Sequence, residues 1–396
     1  MNTSDLPPSA DAVIVGGGIA GTAAAFFLSR AGLRPVIVER LPALASLTTA
    51  RSMEAMRAQW MEPENVAMMR ESIEFYERFA ERVGLPDCDL GVHQPGYLFL
   101  TARPDGMEAL GRRVALQHGL GLTDVELLDG REVRRRFPYV SDAVTAATYR
   151  QRDGWLAAHE AALGFARASG ARVVTRAEAT GFRLAGGRVV GVETTRGPIA
   201  ADVVVIAAGP YSGRVAALLG VDLPLRNVRR HRVTIGEHPL IPQTAPMVID
   251  QDTGAHWRPE RPGAALAWAQ PHEPPGEPTD DVRANPAFVH EVMEAVSRLC
   301  PFWEQVAETL KVGQVYLTAG QYTETPDDKP IIGPHPDIPG LYFNCGYGGH
   351  GIMAAPGGGR LLADLVTGAV DDRDNPFSFR RLARLDLQPP TPHRLL

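Results

Sequence analysis

The chain has 396 residues, 44% hydrophobic and 22% charged, with a formal net charge of −6. That length exceeds what one core usually serves and predicts two domains, while the mild acidity argues against nucleic-acid or membrane-surface binding. No apolar run reaches a membrane span, and three widely spaced cysteines, Cys88, Cys300 and Cys345, make neither a disulfide framework nor a metal site.

Met1 to Ala10 is polar and proline-bearing, without the regions of a signal peptide, so a cytoplasmic location is expected. The first strong signal is Asp11 to Arg40. Two apolar runs flank an alanine-rich segment, the pattern of a βαβ unit with a buried parallel sheet. Gly16, Gly18 and Gly21 supply G-x-G-x-x-G where strand hands over to helix. In such a turn the first glycine allows the tight bend, the second admits a pyrophosphate and the third lets the helix pack on the strand. The helix start at Ile19 and Ala20 presents N–H groups to phosphates. Glu39 closes the second strand, where a carboxylate can accept both hydroxyls of an adenosine ribose. These features predict a dinucleotide site without separating NAD from FAD.

After Arg40, the segment to Glu64 carries no clear period; its hydroxyl residues, with Arg51 and Arg57, suit a loop along a phosphate or flavin. Asn65 to Val83 reads as an amphipathic helix, Gly96 to Leu100 as a strand and Pro104 to Gly119 as a helix. Leu127 to Pro138 reads as a short helix and His159 to Ser169 as another. Arg172 to Val174, Gly181 to Leu184 and Val189 to Thr195 read as a meander turning at Gly186-Gly187. Ala201 to Ile206 is a fully apolar strand ending in Ala207-Ala208-Gly209-Pro210, small residues that leave room for a ligand at a switch point.

Val228 to Ile235, Met247 to Ile249, His256 to Arg258 and Ala264 to Ala269 then read as antiparallel strands, with Pro271 to Pro278 a surface loop. Asn285 to Cys300 reads as a helix and Gly313 to Tyr322 as a strand. Leu341 to Cys345 runs into a second glycine-rich turn, Gly346 to Gly351, before a helix from Ile352 to Thr367. This turn should reach the ligand from another strand, and FAD, longer than NAD, has a use for it. A helix start there can stabilise charge developing on a reduced flavin.

Four motifs carry a family resemblance: Gly16 to Gly21, Ala207 to Pro210, Tyr322-Thr323-Glu324-Thr325-Pro326-Asp327 with Pro330 to Gly333, and Gly348-Gly349-His350-Gly351. Through them the chain resembles the D-amino-acid oxidase/glycine oxidase/sarcosine oxidase family of FAD enzymes from Asp11 to about Leu385. The resemblance implies an α/β fold: a discontinuous Rossmann-like FAD-binding domain of glutathione-reductase type at 10–85, 146–225 and 323–386. An inserted antiparallel substrate-binding domain would occupy 86–145 and 226–322, with a tail at 387–396. By similarity Thr48 and Thr49 would follow the pyrophosphate and ribityl chain, with Arg40 beside Glu39, and Ala179 would face the adenine. Ala208 and Gly209 would border the cofactor, and Gly349, His350, Gly351, Ile352 and Met353 the flavin.

Arg57 falls where sarcosine oxidases carry an arginine that clamps the substrate carboxylate, and Tyr322 matches an active-site tyrosine. His256 should face the flavin, and His350 is a further candidate participant whose rival role is packing. Where relatives carry a tethering cysteine this chain has Gly320, so FAD is expected to bind without a covalent link. Met353 replaces a carboxylate-binding lysine, which hints at a less polar substrate. The only lysines, Lys311 and Lys329, lie away from the stretch that in fast oxidases places one over the flavin. The expected reaction is oxidation of the C–N bond of an amino acid or N-alkyl amine by hydride transfer to flavin N5, with O2 or another acceptor. A tailoring oxidase, a 2-hydroxy-acid dehydrogenase and an electron-relay subunit stand as alternatives.

Overall fold

The computed structural model describes residues 6–270 and 273–384. The expected tail at 387–396 lies outside them, as do two residues of the proline-rich loop.

Six strands form the first sheet, in the order Ile331–Pro334, Leu341–Cys345, Val203–Ile206, Ala12–Val15, Pro35–Val38, Arg172–Val174. Five run parallel and Ile331–Pro334 is the antiparallel edge. The central strands are buried along their whole length because both faces are covered, which is why they read as unbroken apolar runs. Helices Ile19–Arg30, Ala158–Ala168 and Gly351–Thr367 pack together on one face. The other face meets a three-stranded antiparallel sheet through Val189, Val192 and Ile199.

Two sequence expectations change here. Arg172–Val174 is not part of the meander; it pairs in parallel with Pro35–Val38. Its apolar side chains are drawn into the larger core, while Ala179–Ala185 and Arg188–Thr194 form the hairpin. Gly186 and Gly187 turn that hairpin with positive φ of 57° and 78°, which a two-residue turn of this hand requires. The long helix expected over 65–83 is two, Pro63–Glu77 and Phe79–Val83, broken at Arg78.

A nine-stranded sheet makes the second layer system. Its strands come from Tyr97–Thr101, Glu126–Asp129 and Ala146–Arg150, and from five segments of 226–276 together with Val315–Glu324. The sheet is mixed rather than antiparallel throughout, because Met247–Asp250 pairs in parallel with Tyr97–Thr101. That seam joins two distant chain segments, so no hairpin dictates its direction. Ala146–Arg150, assigned above to the first unit, pairs here with Tyr97–Thr101. Residues 127–129, expected in a helix, lie instead in the edge strand Glu126–Asp129; Asp129 then accepts the Glu132 amide at 2.8 Å and caps the helix Gly130–Arg136.

Alternation along Tyr97–Thr101 sorts the two faces. Leu98 and Leu100 join the core under helices Ala287–Ser297 and Phe302–Thr309. Tyr97 and Phe99 join Met53, Ala55 and Ile249 on the opposite face. Among the described residues no helix is long and apolar enough to cross a membrane.

Candidate active site

The glycine spacing has a steric explanation at each position. Gly16 has φ of +116°, and a Cβ there would lie 2.4 Å from the Ala207 carbonyl oxygen. A Cβ on Gly21 would lie 1.9 Å from the Gly16 carbonyl oxygen, so the helix approaches the strand as closely as backbone allows. At Gly18 a Cβ would meet only Thr49 Oγ1, at 3.5 Å. The first and third glycines are thus demanded by the fold, and the second leaves space.

That space belongs to a cavity of about 310 Å³. Its walls come from the turn at Val15–Ala20, the strand end Val38–Leu41, the segments Ala45–Thr49 and Ala177–Ala179, the small-residue strand end Ala207–Tyr211, Tyr322–Thr323, and the second glycine turn. Gly16, Gly18, Ile19, Ala20, Glu39, Arg40, Thr48, Thr49, Ala179, Ala208, Gly209, Gly349, Gly351 and Ile352 all border it. Gly21, His350 and Met353 do not. Met353 is packed in the hydrophobic core, because one residue of helix turns a side chain by about 100° away from Ile352. It therefore carries no information on substrate polarity.

Several of these side chains have partners within the protein. Glu39 accepts the Gly17 amide at 2.8 Å and the Leu41 amide at 2.7 Å. Burial raises its pKa, and those two amides oppose the rise. Arg40 is ion-paired with Asp280 and lies 4.5 Å over the Tyr211 ring, so its charge is already committed. Thr48 donates to the Gln321 carbonyl at 2.9 Å, and Thr49 Oγ1 accepts the Ile19 amide at 3.2 Å. The sequence reading missed Asn344, which donates to the Ala20 carbonyl at 3.0 Å and accepts the Tyr347 hydroxyl. A lone asparagine in the apolar strand Leu341–Cys345 was the available signal.

Helices Ile19–Arg30 and Gly351–Thr367 both start at the cavity, and neither N-cap residue, Gly18 or His350, supplies a capping side chain. Two helix starts thereby face one cavity, the Ile19 amide already given to Thr49, an arrangement suited to a dinucleotide with phosphates at one turn and an anionic ring edge at the other. The residues present fit FAD.

Beyond Tyr322 and the second turn lies a cluster of ionisable groups. Arg57 is 5% exposed and stacks 4.0 Å over Trp60 and 5.3 Å over Phe99. Its one side-chain hydrogen bond goes to the Gln59 carbonyl at 3.1 Å, and among the described residues no carboxylate lies within ion-pair distance. Desolvation lowers its pKa, yet a guanidinium stays charged. Trp60 meets His350 edge-on at 4.3 Å. Burial, reinforced by the Arg57 charge, lowers the His350 pKa to about 3. His256 is lowered by burial too, against the pull of its 2.9 Å contact between Nδ1 and the Gly254 carbonyl. Both imidazoles are neutral at physiological pH.

Two tyrosines complete the cluster. Burial raises the pKa of Tyr322 and of Tyr97, and neither hydroxyl has a hydrogen-bond partner among the described residues. The charge of Arg57 acts on Tyr97, His256 and His350, and Tyr97 in turn is affected by Tyr322. Arg57, Tyr322, His256 and His350, scattered over the sequence, are thus brought within electrostatic range. Tyr97 was legible only as a strand residue.

Residues 57–60 form no regular element, and buried side chains from elsewhere satisfy their peptide groups. The fully buried Asp153 accepts the Ala58 amide at 2.9 Å and the Gln59 side chain at 3.1 Å. Arg113 donates to the Gln59 carbonyl at 3.2 Å, and Gln117 to the Trp60 carbonyl at 3.1 Å.

At Gly320 a Cβ would lie 3.2 Å from Arg51 Cβ, so an arginine stem occupies the space beside the tethering position. Cys345 borders the cavity, but burial pushes its thiol up to about 12. Lys329 pairs with Glu64, and neither lysine borders the cavity.

The model of the FAD-dependent oxidoreductase family (DAO) matches residues 11–365. The chain belongs to this family, whose members use FAD to oxidise their substrates. It is 29% identical to FAD-dependent oxidoreductase domain-containing protein 1 of Bos taurus, over 96% of this chain and 86% of that one. It is also 29% identical to sarcosine oxidase subunit beta of an Arthrobacter species, over 94% and 91%. Among solved structures it resembles L-proline dehydrogenase from P. horikoshii, with a TM-score of 0.85 and 26% identity over 96% of this chain and 99% of that one.

Proposed function

We propose that the protein oxidises the C–N bond of an amino acid or N-alkyl amino acid. The observation that carries this reading is Arg57: a buried guanidinium that among the described residues has no carboxylate within ion-pair distance, beside two neutral histidines and two tyrosine hydroxyls without a hydrogen-bond partner among those residues. An unpaired buried charge is costly, and a substrate carboxylate would complete it with a bidentate, non-titrating contact. The names of relatives, a sarcosine oxidase subunit and a proline dehydrogenase, agree with a substrate holding an amine next to a carboxylate.

In this reading the six-stranded sheet and its helices make the FAD-binding unit, of glutathione-reductase type. The nine-stranded sheet makes the substrate-binding unit. Gly18 would admit the pyrophosphate, Glu39 and Ala179 would border the adenosine half, and Gly349, Gly351 and Ile352 the flavin. Bound FAD, held without a covalent link, would take up the hydride released from the carbon beside the nitrogen, and water would hydrolyse the resulting imine.

The protein's own groups orient the substrate and leave it the right protonation state. Arg57 holds the carboxylate, and the segment pinned by Asp153 and Gln117 keeps Arg57 in register. His350, with its pKa near 3, is too weak a base to take a proton from an ammonium. The amine is then neutral on arrival or loses its proton to solvent, and the rate should rise with pH through the bound amine's pKa. With both lysines tied up or distant, an acceptor other than O2 is the favoured electron sink.

An anaerobic panel of amino acids, N-methyl amino acids and 2-hydroxy acids, read by bleaching of flavin absorbance, tests the reading. Bleaching by an amine is expected. Bleaching by hydroxy acids alone would replace the amine with an alcohol donor on the same carboxylate clamp.

A further inference from the structure

We infer that Arg113 is a second anion-recognising residue beside Arg57, and that the pair selects amine substrates carrying two acidic groups. This rests on the reading of Arg57 as the substrate carboxylate's partner and extends it to substrate class.

Elsewhere the protein pairs its buried or nearly buried arginines with acids: Arg258 with Glu54 at 3.1 Å, Arg230 with Glu324 at 3.1 Å, Arg150 with Asp124 at 2.8 Å. Arg57 and Arg113 depart from this. They donate to the same carbonyl oxygen, that of Gln59, at 3.1 and 3.2 Å, so those two nitrogens lie within about 6 Å of each other. Both also face the ring of Phe99, at 5.3 and 4.9 Å. Among the described residues neither has a carboxylate within ion-pair distance. Glu62 is close enough to act on both charges, and Asp153 on that of Arg57, but Glu62 accepts its hydrogen bond from the Asn65 side chain, at 3.3 Å.

Two guanidiniums are therefore held side by side in a poorly solvated place, the Arg57 charge acting against that of Arg113, with Glu62 as a shared but more distant counter-charge and no ion pair to either among the described residues. The scaffold holds Arg113 there deliberately: Gln251 Oε1 accepts its Nη1 at 3.0 Å while Gln59 takes its Nη2. Arg57 is buried and Arg113 is partly exposed. A ligand spanning them would place one carboxylate inward on Arg57 and the other outward on Arg113. An α-amino dicarboxylic acid or an N-carboxyalkyl amino acid has this build, and its two negative charges balance the two cations.

Calorimetric titration of the FAD-loaded protein with succinate and with propionate tests the pair. Succinate should bind at least tenfold more tightly. Arg113→Gln should bring that ratio below threefold, with the propionate affinity of the same variant reporting any shift of Arg57 through the Gln59 carbonyl they share, and Arg113→Lys, which keeps the charge, should hold it above fivefold. Arg57→Gln should weaken both ligands. A wild-type ratio below threefold overturns the proposal without any variant, as does a ratio unchanged in Arg113→Gln. Should the wild-type protein bind neither ligand, the failure lies with Arg57 as a carboxylate site, and both readings fall.

Discussion

The ring of Tyr322 fills the space that a side chain at residue 349 would need: a Cβ on Gly349 would lie 2.5 Å from Tyr322 Cε2. The two are locked together, since the Gly348 amide donates to the Thr323 carbonyl at 2.8 Å. Gly349→Ala should therefore displace the tyrosine rather than unfold the protein. We expect kcat/KM to fall at least tenfold with flavin content retained, and Tyr322→Phe, which leaves the ring in place, to be milder. Steady-state kinetics beside the absorbance near 450 nm would check this.

Gly18 and Gly21 should separate binding from folding. Gly21→Ala drives a methyl into the Gly16 carbonyl and should cost about 3 kcal/mol of stability even in FAD-free protein, the scale of overpacking a tight site. Gly18→Ala has room in the protein alone, so the FAD-free melting temperature should stay within about 2 °C while FAD affinity drops at least tenfold. Differential scanning calorimetry and flavin titration give the two readouts. A Gly18→Ala protein that binds FAD normally would remove the pyrophosphate from that position.

Arg57→Gln should raise KM by roughly 100-fold for a carboxylate-bearing substrate, the loss of a charge-assisted bidentate contact of about 3 kcal/mol. Arg57→Lys should recover only part of this, because an ammonium cannot reproduce the fork. Equal KM values in wild type and variant would show that the carboxylate binds elsewhere.

His350 predicts a pH dependence of stability with a definite sign. Its folded pKa is lowered to about 3, whereas an unfolded histidine titrates at about 6.5. Between these values the unfolded chain binds the proton and the native protein does not, so stability is lost as pH falls through that window. The slope from one such group approaches about 1.4 kcal/mol per pH unit. His350→Asn should flatten the dependence between pH 6 and 4, measured by urea unfolding. His256, lowered for the same reason, leaves a residual slope in that variant.

Acid precipitation should release all flavin into the supernatant. Gly320 offers no thiol, and the Cys345 thiol stays protonated. Flavin retained in the pellet would require a tether from another residue.

Local chemistry made the first unit legible. Continuous apolar runs and glycine spacing mark parallel strands and tight turns directly, so Gly16 to Ala20, Ala207 to Gly209, and Gly349, Gly351 and Ile352 all fall on one cavity. What the sequence hid was pairing between distant segments. Nothing local tells that Met247–Asp250 lies parallel to Tyr97–Thr101, or that Arg172–Val174 leaves the meander, because both follow from which core has room for the side chains. At the site, Arg57 was found through motif position, but Tyr97, Arg113 and Asp153 carry no local signature. Asp153 acts on Ala58 and Arg113 on Gln59 through hydrogen bonds across 95 and 54 residues. Met353 shows the reverse error, where a motif neighbour is turned away by helix geometry.

The walls of the cavity are contributed in an order that matters for biosynthesis. The glycine turn at Gly16 is among the first parts made, but its partner wall at Gly346–Ile352 comes more than 300 residues later. During translation the early turn must wait, with Gly18 and the adjoining small residues facing an unfinished pocket. Loading with cofactor should therefore be a late event, coupled to arrival of the helix Gly351–Thr367. A chain stalled or cut before Leu341 should accumulate as flavin-free protein that lacks both this helix and the strand Leu341–Cys345 of its parallel sheet.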